Sequence, residues 1–152
     1  MSQMIASSLA QIQATKALAE ARARALKLLI EQGDEGRKAR AREVIQTHQI
    51  LWVREDDPTG GPVHSVGGLG ISGLVQGRDA KDQYQVHLEI KLTSGDESLS
   101  GMRVRHQSCT CVDHGKAGPC KHVLAVAGTV FMEIRRDWNK LREAEKQLQT
   151  SG

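Results

Sequence analysis

SCTCVDHGKAGPCKHVLAV, residues 108–126, decides how this chain folds. It contains every cysteine of the protein, Cys109, Cys111 and Cys120, and His122 follows two residues after the last of them. Three thiols and one imidazole in the order C-x-C, eight residues, C-x-H are a set of zinc-ligand types. The C-x-C pair can offer two sulfurs to one centre through a tight bend. Gly115, Gly118 and Pro119 bring the chain back, so that Cys120 and His122 complete a tetrahedron. With all four positions taken by protein the reading is a closed, structural Zn2+ site, because a catalytic zinc keeps one position for water. Three thiolates, a neutral imidazole and Zn2+ sum to one negative charge, which the positive end of a helix starting at this point would favour. Two alternatives stand beside it. One is three unligated cysteines with a surface histidine, although a lone cysteine more often sits singly as a small buried hydrophobe. The other is His114, in the loop between the pairs, as a competing ligand. An odd number of cysteines this close together makes a poor disulfide framework.

Upstream of this stretch the pattern is that of strands. From Gln83 to Leu92, Tyr84, Val86, Leu88 and Ile90 alternate with Gln85, His87, Glu89 and Lys91, the period of two of a half-buried strand. Thr93-Ser94-Gly95-Asp96 turns the chain, and Gly101 to Ser108 reads as the returning strand, with Met102, Val104 and His106 opposite Arg103 and Arg105. Downstream the pattern is helical. Leu124, Ala127, Phe131, Ile134, Trp138, Leu141 and Leu148 recur at three- and four-residue steps, and Glu145 interrupts an otherwise heptad-like seam.

The first 50 residues lack proline and are rich in strong helix formers. Ile5, Leu9, Ile12, Ala19, Ala23, Leu26 and Ile30 form one apolar stripe, broken only by Lys16. Gly33 stops this helix and Asp34 caps a second, from about Glu35 to His48, that turns Ala41, Val44 and Ile45 inward. The fold expected is α+β: an N-terminal helical pair, a small antiparallel sheet, the zinc loop and a long C-terminal helix that packs on the first. The divisions are a helical extension over 1–50, sheet and finger over 51–130, and the continuing helix over 131–152.

The finger resembles the SWIM zinc finger, whose pattern is C-x-C, a variable loop and C-x-H, with a strand hairpin before it and a helix carrying the last ligands. The likeness runs from about Tyr84 to Val130 and includes Gly118-Pro119 ahead of the third ligand and the aliphatic residues after the histidine. Thr110 and Val112 depart from the small residues and proline frequent there, which matters little for ligation. SWIM modules occur in Swi/Snf-type helicase-like ATPases, Mutator-type transposases, transposase-derived plant transcription factors, ubiquitin-ligase-related kinases and partners of recombinase paralogues. They bind DNA or proteins. The resemblance therefore implies a binding or adaptor module.

Composition agrees with a small domain. The chain has 152 residues, 39% of them hydrophobic and 26% charged, and only four aromatics, so its core must be aliphatic and modest. Its formal charge of +3 permits nucleic-acid binding without arguing for it. Residues 101–150 hold nine Lys or Arg against five Asp or Glu, and Arg103, Arg105, Lys116 and Lys121 are the candidate phosphate contacts around the finger. A duplex backbone suits them better than a single strand, because few aromatics are available for stacking. Gly68-Leu-Gly70-Ile-Ser-Gly73 matches G-x-G-x-x-G, but no helix follows, so a flexible or bulged β-connection is the reading. Asp56-Asp57-Pro58 is turn chemistry. Without a Ser/His/Asp set, and with every cysteine assigned to metal, the chain reads as no enzyme. No apolar run approaches the ~18 residues of a membrane span, and the expected location is intracellular, cytoplasmic or nuclear. Two partners are in view: DNA on the basic strand and loop, or a protein or second copy on the apolar stripes of the terminal helices.

Overall fold

The computed structural model describes residues 3–56, 68–92, 98–112 and 118–150. The loop residues His114 and Lys116, the 93–96 turn and Asp57-Pro58 lie outside them. Helices α1 (Gln3–Glu31) and α2 (Glu35–Gln46) precede strands β1 (Ile50–Asp56), β2 (Leu69–Gln76), β3 (Gln83–Lys91) and β4 (Arg103–Cys109), and α3 (Lys121–Thr150) closes the chain. The four strands form one antiparallel sheet in the order β1-β2-β3-β4. The fold is α+β, as the pattern predicts.

Asp34 caps α2 as expected, its Oδ1 accepting from the Arg37 N–H at 2.7 Å. The helix ends two residues early. Gln49 N–H bonds the Val44 carbonyl and His48 N–H that of Ile45, the paired bonds of a Schellman end, with His48 at φ 56°.

α1 and α3 run antiparallel, since Lys16 meets Glu145, Glu20 meets Trp138 and Gly33 lies against Leu124. The two residues that interrupt the apolar stripes are partners. Lys16 Nζ lies 2.9 Å from Glu145 Oε1 and 5.0 Å from the Trp138 ring centroid. A charge on each stripe is satisfied only in this register, which is how a polar seam position selects one alignment.

Burial in α1 is wider than a single stripe. Leu26 and Leu9 are buried and Ile12, Ala19, Ala23 and Ile30 half-buried, but Ala21, Ala25 and Leu29 are also buried. α1 touches α3 along one side and β4 along another, so two faces are covered where the amphipathic pattern counts one. The side chain of Ile5 is outside the described set. In α2, Ala41 and Val44 are buried and Ile45 packs half-buried against the core.

One face of the sheet packs on α3. Ile71, Val75, Val86, Leu88 and Ile90 meet Val123, Val126 and Val130 in a core that also takes in Leu26 and Val44. The G-x-G-x-x-G stretch is not a bulged connection. It lies largely within β2, which is paired on both edges. A Cβ on Gly73 would sit 2.8 Å from Val126 Cγ2, so glycine is what allows helix and strand to approach here. The returning strand also departs from simple alternation. A register shift opposite Glu89/Ile90 pairs Ile90 with Val104 and Glu89 with His106, leaving Arg105 unpaired as a bulge. His106 therefore lies on the polar face with Glu89, not beside Val104, while Cys109, opposite Val86, turns to the helical side.

Candidate metal centre

The bulge and the start of α3 bring the four ligands together. Cys109 ends β4, where Thr110 N–H bonds the Gln85 carbonyl at 3.1 Å. Cys120 caps α3, its carbonyl accepting from Leu124 N–H and its Sγ from Val123 N–H at 3.5 Å. His122, the second residue of α3, is buried. The three Sγ atoms and one His122 nitrogen all lie within 4.8 Å of one another, and Cys109 Sγ is 3.8 Å from His122 Nδ1. Zn–S bonds of ~2.3 Å and Zn–N bonds of ~2.0–2.1 Å place tetrahedral neighbours roughly 3.5–3.8 Å apart. The cluster thus encloses a space of the size such an ion fills, with nitrogen and sulfur donors that suit zinc.

Contacts around the ligands fix them. Tyr84 stacks on the His122 ring, centroids 4.4 Å apart and planes at 23°, which sets the ring's orientation. Gly118, at φ 94°, makes a left-handed turn that L side chains rarely adopt. Arg37 is only 8% exposed, and its Nη1 donates to the carbonyls of Gly118 at 3.0 Å and Pro119 at 3.3 Å. A guanidinium from α2 thus holds the residues that lead into Cys120. Its hydrogen bond to Cys120, its burial and the neighbouring thiols push the Cys109 thiol well above the ordinary cysteine range. Without a cation the Cys109 sulfur holds its proton; a divalent ion reverses that preference and releases it.

The fold brings together the four residues that the sequence offers as ligands; sequence reasoning missed Arg37, whose role depends on where α2 sits. It also split differently on the surface. Lys121 lies between two ligands and lines a groove of about 420 Å3 beside the centre, with Arg40 and Arg78 and the acids Glu43, Asp79 and Asp82. Arg103 and Arg105 stand toward the other end of β4, six and four residues from Cys109, roughly 20 and 13 Å along the strand. Their guanidinium groups donate to Ser100 and Met102 carbonyls and to the Gly101 carbonyl. The predicted patch is therefore two separate patches among the described residues.

One polar constellation was not foreseen. Ser72 Oγ is 3.2 Å from His87 Nδ1, and His87 Nε2 is 3.1 Å from Glu89 Oε1. A carboxylate only accepts, so neutral His87 carries its proton on Nε2 and accepts from Ser72. The row lies flat on strands whose amides are engaged in the ladders, and it lacks the sharp turn and converging N–H donors of a nucleophile site.

A closed cluster of three sulfurs and one imidazole, held between a strand end and a helix start, defines a zinc finger. Residues 84–131 match the family model of the SWIM zinc finger, and the chain carries one. No curated protein and no solved structure matches the chain. Among the described residues no helix is long and apolar enough to cross a membrane.

Proposed function

We propose that the protein is a zinc-stabilised nucleic-acid-binding module, an accessory factor in DNA recombination, transposition or transcriptional control rather than an enzyme. Zinc serves as a crosslink here, since four protein ligands leave no position for a reacting water. The observation that carries the reading is the group of cations next to the centre. α2 holds Arg37, Lys38, Arg40 and Arg42 against Glu35 and Glu43, and Arg37 ties this helix to the zinc loop. Arg40 and Lys121 then share one groove with Arg78, where Glu43, Asp79 and Asp82 match them in number. Cations fixed to a rigid metal-held frame suit phosphodiester contact, which positions a nucleic acid without reading its sequence.

The test is a salt series of duplex DNA binding by the zinc-loaded protein. Each phosphate contact contributes about 0.9 to the slope of log K against log salt, so replacing Arg40, Arg78 and Lys121 by glutamine flattens it by about three. Arg103 and Arg105 contribute less, because their guanidinium groups already serve backbone carbonyls. An unchanged slope with full zinc content refutes the reading.

A second reading, an adaptor that binds a protein or its own copy through the terminal helices, is favoured by one feature. Ala19, Ala23, Phe131, Ile134 and Trp138, flanked by Glu20 and Arg135, line a largely apolar cleft of about 290 Å3 between α1 and α3. Polar replacement of Ile134 and Trp138 would then abolish partner binding or change the mass in solution while DNA affinity stays constant.

A further inference from the structure

The helices cover one face of the sheet; the pairing register fixes what stands on the other. Reading across the strands, Trp52, Leu74 and Gln85 form one row and Arg54, Ser72, His87 and Ser108 the next. Asp56, Gly70, Glu89 and His106 follow, and Lys91 pairs with Arg103 at the end. Trp52 is 41% exposed on this face, with the Arg54 guanidinium 5.0 Å from its ring centroid. Beside it is a concavity of about 360 Å3 lined by Trp52, Ser72, Gln85, His87, Ser108 and Thr110.

We propose that this open face binds single-stranded DNA, with an unpaired base stacked on Trp52 and its edge against the polar row of Ser72, Gln85, His87 and Ser108. The inference rests on the nucleic-acid reading above and deepens it. An exposed indole at the edge of this concavity offers a π-surface that any base can use. The neighbouring hydroxyls and the Gln85 amide supply both donors and acceptors for the base edge, which is accessible only when the base is unpaired. His87 is held at both ring nitrogens by Ser72 and Glu89, so its plane is fixed before a ligand arrives. Charge on this face is mixed: Arg54, Lys91 and Arg103 stand on it with Asp56 and Glu89, and Glu89 is engaged by His87 and Lys91. Thr110 lines both this concavity and the groove that contains Lys121, Arg40 and Arg78, so the face is continuous with the proposed phosphate-binding surface. The shortage of aromatics in the sequence argues for a duplex instead; the structure places one of the four where stacking needs it.

The experiment measures binding of a fluorescein-labelled oligothymidylate of roughly 12 nucleotides and of a duplex of equal length at ~50 mM salt. Wild type, Trp52→Ala and Trp52→Phe are compared, each checked for zinc content and thermal melt. The expected result is tighter binding of the single strand than of the duplex by wild type. Trp52→Ala then loses about ten-fold in single-strand affinity, Trp52→Phe stays within about three-fold, and duplex affinity is the same for all. Unchanged single-strand affinity in folded Trp52→Ala, or wild-type preference for the duplex, overturns this inference and leaves the broader reading standing. Failure of wild type to bind either oligonucleotide refutes the nucleic-acid reading, and this inference with it.

Discussion

Arg37→Met tests whether the metal centre is held from outside its ligand set. The substitution keeps most of the buried stem and removes the guanidinium that donates to the Gly118 and Pro119 carbonyls at 3.0 and 3.3 Å. Hydrogen bonds from a charged donor contribute about 1.5–3 kcal/mol each, and the longer one lies at the weak end. The removal also leaves the buried Pro119 carbonyl without this donor. A loss of about 2–4 kcal/mol follows, and for a domain of this size each kcal/mol lowers Tm by about 2–4 °C, giving a drop of roughly 5–15 °C. The loop leading to Cys120 loses its anchor at the same time, so zinc affinity falls by about 10- to 100-fold, the usual effect of removing an outer contact of a metal site. Thermal melts of the zinc-loaded protein and chelator competition on the same samples measure the two quantities. A variant within about 0.5 kcal/mol of wild type, with unchanged zinc affinity, would refute the argument that α2 holds the centre.

Chelation, or Cys120→Ser, removes a crosslink of about 10 kcal/mol or more and should unfold the junction between β4 and α3; a cooperative melt at unchanged temperature would make zinc peripheral. Gly73→Ala forces a Cβ to within 2.8 Å of Val126 Cγ2 and should cost about 1–3 kcal/mol, with the penalty reduced in the double variant with Val126→Ala; independent, additive costs in urea titrations would contradict that contact. Burial, followed by the nearby Glu133 and Asp137, raises the Glu55 carboxyl above its usual range, with Arg22 opposing. A group raised in this way favours the fold when protonated and opposes it once ionised, so Glu55→Gln should stabilise at pH 7 and lose that advantage below about pH 4. Equal melts for both proteins at pH 7 would show that the carboxyl sits at no disadvantage.

Much of this molecule follows from local chemistry. The order C-x-C, loop, C-x-H determines the four ligands, because metal coordination needs particular donor atoms and a chain able to turn between them. The alternation from Tyr84 to Ile90 determines β3, since side chains of a strand must point alternately to two faces, and Gly33-Asp34 determines where one helix ends and the next begins. Tertiary structure decided the rest. Lys16 and Glu145 each look like a flaw in an apolar stripe until the antiparallel register sets them 2.9 Å apart. Arg37 reads as one more cation on a polar helix until α2 lies over the zinc loop. The bulge at Arg105 turns His106 to the polar face and Cys109 toward Cys120 and His122, and the register alone gathers Trp52, Ser72, His87 and Ser108 on one surface. Sequence patterns record the periodicity of a single element; which residues meet between elements depends on packing, and packing depends on all of them together.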